Sequence, residues 1–257
     1  MKGFLIILVV AAFIIYVRRK KRTRAYDLPA SASELLTRHV AFYNKLDDSG
    51  KAHFEARIKD FLANVSVRGV GVEVDDLDRI LVASGAIILI FSFPDWRYNN
   101  ISEVLLYPES FNREFDQQGP GRNVLGMVGD GPMHRNMILS KSSLRASFSA
   151  SNDGQNTVVH EFAHLIDKAD GATDGVPDYL LSKHQLAPWI SLVRETMEEM
   201  KQRGRSDIDL YGTTNETEFF AVIAEYFIEQ PGKLKERHPE LYGMLEKMFR
   251  PQAASKR

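Results

Sequence analysis

Residues 156–171 read NTVVHEFAHLIDKADG. Two histidines, His160 and His164, are separated by three residues, and Glu161 directly follows the first. No other feature of the chain constrains its fold as strongly. Asn156 is a good helix cap, and neither Pro nor Gly occurs before Gly171, so the segment predicts a helix. One helical turn brings both imidazoles onto the same face, where they can reach a single ion. Val158, Val159, Phe162, Ala163, Leu165 and Ile166 make the helix apolar almost all round, which predicts burial. Histidines and a carboxylate inside a buried helix need partners, and a divalent cation supplies one. Glu161 falls where its carboxylate can approach a water at the metal without being a ligand itself.

The H-E-x-x-H pattern also arises by chance, so the reading turns on a third ligand. The chain has no cysteine, which removes thiolate sites, disulfides and thiol nucleophiles together. Any metal must be held by His, Asp or Glu. A catalytic zinc takes three protein ligands and keeps one position open. The version of the motif with a Gly and a further His downstream is excluded, because those positions hold Asp167 and Asp170. Asp170 and Asp174, in DGATDG, are possible ligands but suit a glycine-rich turn equally well. The other source is the segment 209–231, which predicts a buried helix from about Asn215 to Glu229, ended by Gln230-Pro231. Glu218 and Glu225 lie on nearly the same face of it. Glu218 is nearer the polar helix start. Glu225 is better suited to accept the outer N–H of a ligand histidine.

The remaining chain divides around this centre. GFLIILVVAAFIIYV, residues 3–17, carries no charge and is followed by RRKKR. Its length is close to the minimum for crossing a bilayer core about 30 Å thick. The basic flank on its C-terminal side predicts an uncleaved single-pass anchor in the inner membrane, with the rest of the chain facing the cytoplasm. The expected division is an anchor with its basic flank over 1–22, a linker over 23–33, a catalytic domain over 34–250 and a disordered tail over 251–257. ASELLTRHVAFYNKL and GKAHFEARIKDFLANV carry helical apolar spacing. DDLDRILVASGAIILIF, residues 75–91, predicts a core helix and not a second span, because Ser84 and Gly85 interrupt a short apolar run. EVLLYP, VLGMVG and NMILS predict short strands, with NREFDQQGPGRN as a loop. The net charge of −1 argues against a dedicated nucleic-acid binder. The absence of a G-x-S-x-G elbow argues against a Ser–His–Asp hydrolase.

Four blocks, FEARIKDFLA, DGQNTVVHEFAHLID, DGVPD and YGTTNETEFFAVIAEYF, occur in that order. Together they resemble the MtfA-type zinc peptidases, the glucose-regulated metallopeptidase family, over most of the chain after the expected anchor. The resemblance implies an α+β fold with a zincin-like (gluzincin) metallopeptidase core and N-terminal helices, similar to the core of anthrax lethal factor. Here it would be preceded by a single transmembrane helix. It implies Zn2+ held by His160, His164 and Glu218, with Glu161 as general base and Tyr211 stabilising the oxyanion. Asp167 falls on a family aspartate. The implied activity is peptide hydrolysis of aminopeptidase type, with a peptide or protein as substrate. A transcriptional-regulator partner is implied by resemblance alone, through the sugar-uptake repressor that the enterobacterial protein binds. The alternative reading is a membrane-tethered binding protein that sequesters a regulator, with the metal site secondary. One departure concerns the edge strand before the metal helix, which reads Leu-Ser-Trp in the family and Leu139-Ser140-Lys141 here. If that strand lines the cleft, specificity differs with it.

Overall fold

The computed structural model describes residues 26–112, 114–118, 121–129, 134–149 and 155–250. The expected anchor and the expected tail lie outside them. Among the described residues no helix is long and apolar enough to cross a membrane. The last part of the expected linker packs on the domain. Tyr26 and Leu28 rest against the core, and Asp27 pairs with Lys59 at 2.9 Å.

The first amphipathic pattern folds as two helices, α1 (Ala32–His39) and α2 (Ala41–Asn44), with Val40 extended between them. The break has a local cause. Asn44 Nδ2 donates to Thr37 O at 2.7 Å, taking a carbonyl that Ala41 N would bond in a continuous helix. Val40 is then free to turn its side chain into the core. Helix α3 (Asp48–Asn64) is capped by Asp47, whose carboxylate accepts from Gly50 N, and buries Phe54, Ile58, Phe61 and Leu62.

Strands β1 (Ser66–Gly69) and β2 (Glu103–Tyr107) pair in parallel, which requires a crossover connection, and α4 (Asp76–Ile90) lies within it. Helix α4 opens with a reciprocal cap between Asp75 and Asp78. Asp78 is fully buried and is held by Lys141 and Arg145, each at 2.9 Å. From Ile80 to Ile90 every residue of α4 is buried, as expected of a core helix. The interruption at Gly85 is a packing notch. A Cβ there would lie 2.4 Å from Val158 Cγ1. Glycine gives up roughly 1 kcal/mol of helix propensity relative to alanine, and in return the backbones of α4 and the metal-motif helix approach closely.

Strands β3 (Gly126–Val128) and β4 (Asn136–Ser140) complete a four-stranded sheet in the order β1-β2-β4-β3. Here the structure corrects the sequence reading. The strand bearing Leu139 and Ser140 is interior, parallel to β2 on one side and antiparallel to β3 on the other. The edge strand is β3, and Lys141 already belongs to the next helix. Met137, Ile138, Leu139 and Ser140 are all buried between the two partners, whereas β3 is half-buried along its length.

Helices α5 (Lys141–Ser147), α6 (Thr157–Asp167), α7 (Lys183–Arg203), α8 (Glu216–Glu229), α9 (Pro231–Arg237) and α10 (Pro239–Phe249) follow. Helix α6 lies at the centre, packed against α4, α8 and β3. Phe162 on α6 meets Phe61 and Tyr98 with ring centroids 5.7 and 5.1 Å away. Phe162, Val158 and Val159 are each fully buried, and burying a side chain of this kind contributes roughly 1.5–3 kcal/mol. The sequence expected this helix to be buried, and it is the pivot of the core.

Candidate metal centre

Helix α6 is fixed at both ends by side chains from elsewhere. Asn156 Oδ1 accepts from Val159 N at 3.0 Å as the N-cap. The same residue ties α6 to α8: its backbone N–H donates to Glu225 Oε1 at 2.7 Å and its Nδ2 to Glu229 Oε1 at 2.8 Å. At the other end Asn100 Nδ2 donates to Leu165 O at 2.7 Å. Helix α8 starts at Asn215, whose Oδ1 accepts from Glu218 N at 2.9 Å, so Glu218 sits in its first turn facing α6.

These constraints bring His160, His164 and Glu218 together, with one potential ligand atom from each lying within 4.8 Å of the others. His160 Nε2 is 3.1 Å from Glu218 Oε2, and His164 Nε2 is 3.4 Å from the same oxygen. The outer nitrogen of His160, Nδ1, is 3.0 Å from Glu225 Oε2. Glu218 lies at the cluster's centre and Glu225 behind the first histidine. Asp170 and Asp174 do not enter the cluster. Their carboxylates accept backbone N–H groups of their own turn, from Ala172 and Asp178 for Asp170 and from Val176 for Asp174.

The donor set fits a divalent cation on chemical grounds. Both ring nitrogens of His160 face carboxylates, an arrangement that demands positive charge between them. Burial alone would push this imidazole down. Glu218 and Glu225 outweigh that effect and hold its pKa up at about 10. Against its own desolvation, the contacts with His160 and His164 hold Glu218 well below the usual carboxylate range. In the metal-free protein a proton on His160 supplies the charge; a metal ion at Nε2 would replace it and leave Nδ1–H donating to Glu225.

Glu161 is buried beside the cluster, and desolvation raises its pKa while the nearby imidazoles oppose the shift. It lies against the backbone of β3: a Cβ at Gly126 would come within 2.6–2.9 Å of the Glu161 side chain. Gly126 is a site residue that the sequence reading missed. A glycine inside a strand is a recognised sign of close backbone approach, and that signal was present. Asn156 was read only as a cap; its bonds to Glu225 and Glu229 depend on a packing that spacing does not reveal. Tyr211 stands on the 3-10 turn Leu210–Thr213, where Asp209 Oδ1 accepts its backbone N–H at 2.9 Å. Its ring is half exposed and its centroid is 6.1 Å from that of His160. Asp167 is fully buried, its Oδ2 accepting from Gly175 N at 3.1 Å, and desolvation pushes its pKa up to about 6.

A cleft of about 600 Å³ opens against Glu218, walled by Asp174, Val176, Trp189, Arg194 and Glu216. A larger cavity, of about 750 Å³, is elsewhere, between α2, the end of α4 and the end of α8. Size alone would therefore choose the wrong site; the convergent ligand atoms decide.

Comparison with known proteins identifies a metallopeptidase family. The family described as Glucose-regulated metallo-peptidase M90 matches residues 15–250. An uncharacterized protein of Synechocystis is 27% identical over 242 residues, covering 90% of this chain and 87% of its own. The Mlc titration factor A of Pectobacterium atrosepticum is 29% identical over 184 residues, 64% of this chain and 66% of its own. That of Escherichia fergusonii is 29% identical over 193 residues, 67% and 68% of the two chains.

The charge reading makes a pH prediction. His160 is protonated in the metal-free protein below about pH 10, so zinc binding near neutral pH must expel about one proton from it. Apparent zinc affinity should rise about tenfold per pH unit from pH 6 to 8, and binding heats should vary with the ionisation enthalpy of the buffer. An affinity independent of pH would show that His160 Nε2 is not where the cation goes.

Proposed function

The chain belongs to the glucose-regulated metallopeptidase family, and on that premise we propose that it is a zinc peptidase of aminopeptidase-like type, built on a gluzincin ligand set. The observation that carries the proposal is the convergence of His160, His164 and Glu218 with Glu161 buried beside them. His160, His164 and Glu218 would hold the ion. When bound, zinc supplies Lewis-acid polarisation of a scissile carbonyl and acidifies water. Glu161 accepts the proton of the attacking water and passes it to the leaving amine. Its raised pKa suits that exchange, because a carboxyl easier to protonate is a better proton carrier near neutral pH. The Tyr211 hydroxyl, on a ring whose centroid is 6.1 Å from that of His160, donates to the oxyanion as it develops.

The edge strand supports a peptide as substrate. Leu125 O accepts from Ser140 N, and Gly129 N donates to Asn136 O. In an antiparallel ladder of that phase, the N–H and C=O groups of Gly126 and Val128 point toward the open edge. Extended peptide backbone pairs with such an edge, and Gly126 places it directly beside Glu161.

A second reading rests on the relatives named Mlc titration factor A. In it, the chain binds and sequesters a regulator, and catalysis is secondary. A buried glutamate beside the cluster favours the enzyme, since a merely structural site needs no base. Segment 3–17 and the basic residues after it favour an inner-membrane anchor with the catalytic domain on the cytoplasmic face.

Glu161→Gln should keep zinc and lose at least about 100-fold in kcat on a peptide library, since general-base assistance is typically worth 10²–10⁴. Undiminished cleavage at full zinc occupancy would sink the mechanism, and a wild type without cleavage that still binds a regulator would favour sequestration. Ser31→Cys, in a chain with no other cysteine, should resist a membrane-impermeant thiol reagent in intact cells and react once the membrane is opened. Labelling in intact cells would put the domain on the outer face.

A further inference from the structure

The cluster is asymmetric in its support. His160 has Glu225 behind its outer nitrogen. His164 has no equivalent contact: its Nδ1 is buried without a hydrogen-bond partner among the described residues. One other carboxylate oxygen of α6 is in the same condition, Asp167 Oδ1. Asp167 follows His164 by three residues on the helix, so the two side chains are neighbours on one face.

We propose that Asp167 is the positioning residue for His164, doing for the second histidine what Glu225 does for the first. The inference rests on the reading that His164 holds the metal through Nε2. With the Nε2 lone pair given to the metal, the ring proton must sit on Nδ1, and an N–H buried there requires an acceptor. Asp167 Oδ1 is an acceptor with no other work. Neither atom has a partner in this structure, and in the zinc-loaded protein the bond is made directly or through one water. The other oxygen of Asp167 is already committed to Gly175 N. Gly175 holds a φ of +75°, and a Cβ there would lie 2.3 Å from Glu216 O, so this loop is pressed onto the start of α8. Its carbonyl in turn accepts from Trp189 Nε1 at 2.8 Å. Asp167 thus joins His164 to the loop that walls the cleft beside Glu218, and the orientation of one ligand is linked to the shape of the substrate cavity.

The discriminating variant is Asp167→Asn, examined in the full chain with Zn2+ alone as the ligand. An asparagine oxygen can still accept from Gly175 N, which keeps the loop seated. Its amide nitrogen then faces the His164 N–H as a donor, so only the link to the histidine is lost. Zinc affinity, from chelator competition, should fall by about 10–100-fold, as for Glu225→Gln, while the metal-free variant melts close to wild type. In zinc-loaded wild type, nitrogen-edited proton NMR should show two exchange-protected imidazole Nδ1 protons, the one from His164 vanishing or shifting in the variant. A zinc affinity within about twofold of wild type would overturn the proposal. So would a single protected proton in wild type, assigned to His160 by its loss in Glu225→Gln; that result does not depend on the variant folding. A wild type that binds no zinc would remove the metal reading itself, and this inference with it.

Discussion

Four carboxylates, Glu161, Asp167, Glu218 and Glu225, gather around two imidazoles inside a core of Phe, Ile and Val. Leaving such charges unpaired in that environment costs several kcal/mol each. The arrangement is stable only with positive charge at its centre, carried by a proton on His160 or by a metal at the shared face. Side-chain bonds to both ends of α6 keep these groups from relaxing apart. The chain from His160 through Glu225 to the backbone N–H of Asn156 closes on the cap of the very helix that carries His160. Displacing α8 from α6 would therefore break a cap, an ion pair and a ligand position at once.

The apolar core serves the same end by contact alone. Gly85 lets α4 come close behind Val158, and Gly126 lets the edge strand come close in front of Glu161. Between these two approaches α6 has little freedom to slide or rotate. That is the condition a preorganised site needs: the proposed base and the three proposed ligands are held by packing, with a cleft beside Glu218 and the half-exposed Tyr211 next to them.

The parts legible in the sequence are those governed by short-range rules. The His160–His164 spacing, the Asn156 cap, the helix start near Asn215 and the burial of residues 80–90 all follow from neighbours a few positions apart. Glu218 and Glu225 sort themselves because one lies at a helix start and the other a further two turns along. Long-range pairing was not legible. Residues 136–140 have the composition of any short strand, and only the pairing with both β2 and β3 makes them interior. The break at Val40 was hidden for a similar reason. It depends on the side chain of Asn44 reaching back to Thr37, which apolar spacing does not encode.

The central claim is that two imidazoles and one carboxylate of this chain hold a single zinc ion. X-ray absorption at the zinc edge, on the full chain loaded with one equivalent of Zn2+, measures that shell directly. The account predicts two imidazole nitrogens at about 2.0–2.1 Å with oxygen neighbours at about 2.0–2.2 Å, and loss of tight binding when Glu218 is replaced by alanine. A shell with fewer than two imidazoles, or one unchanged when Glu218 is removed, would contradict it.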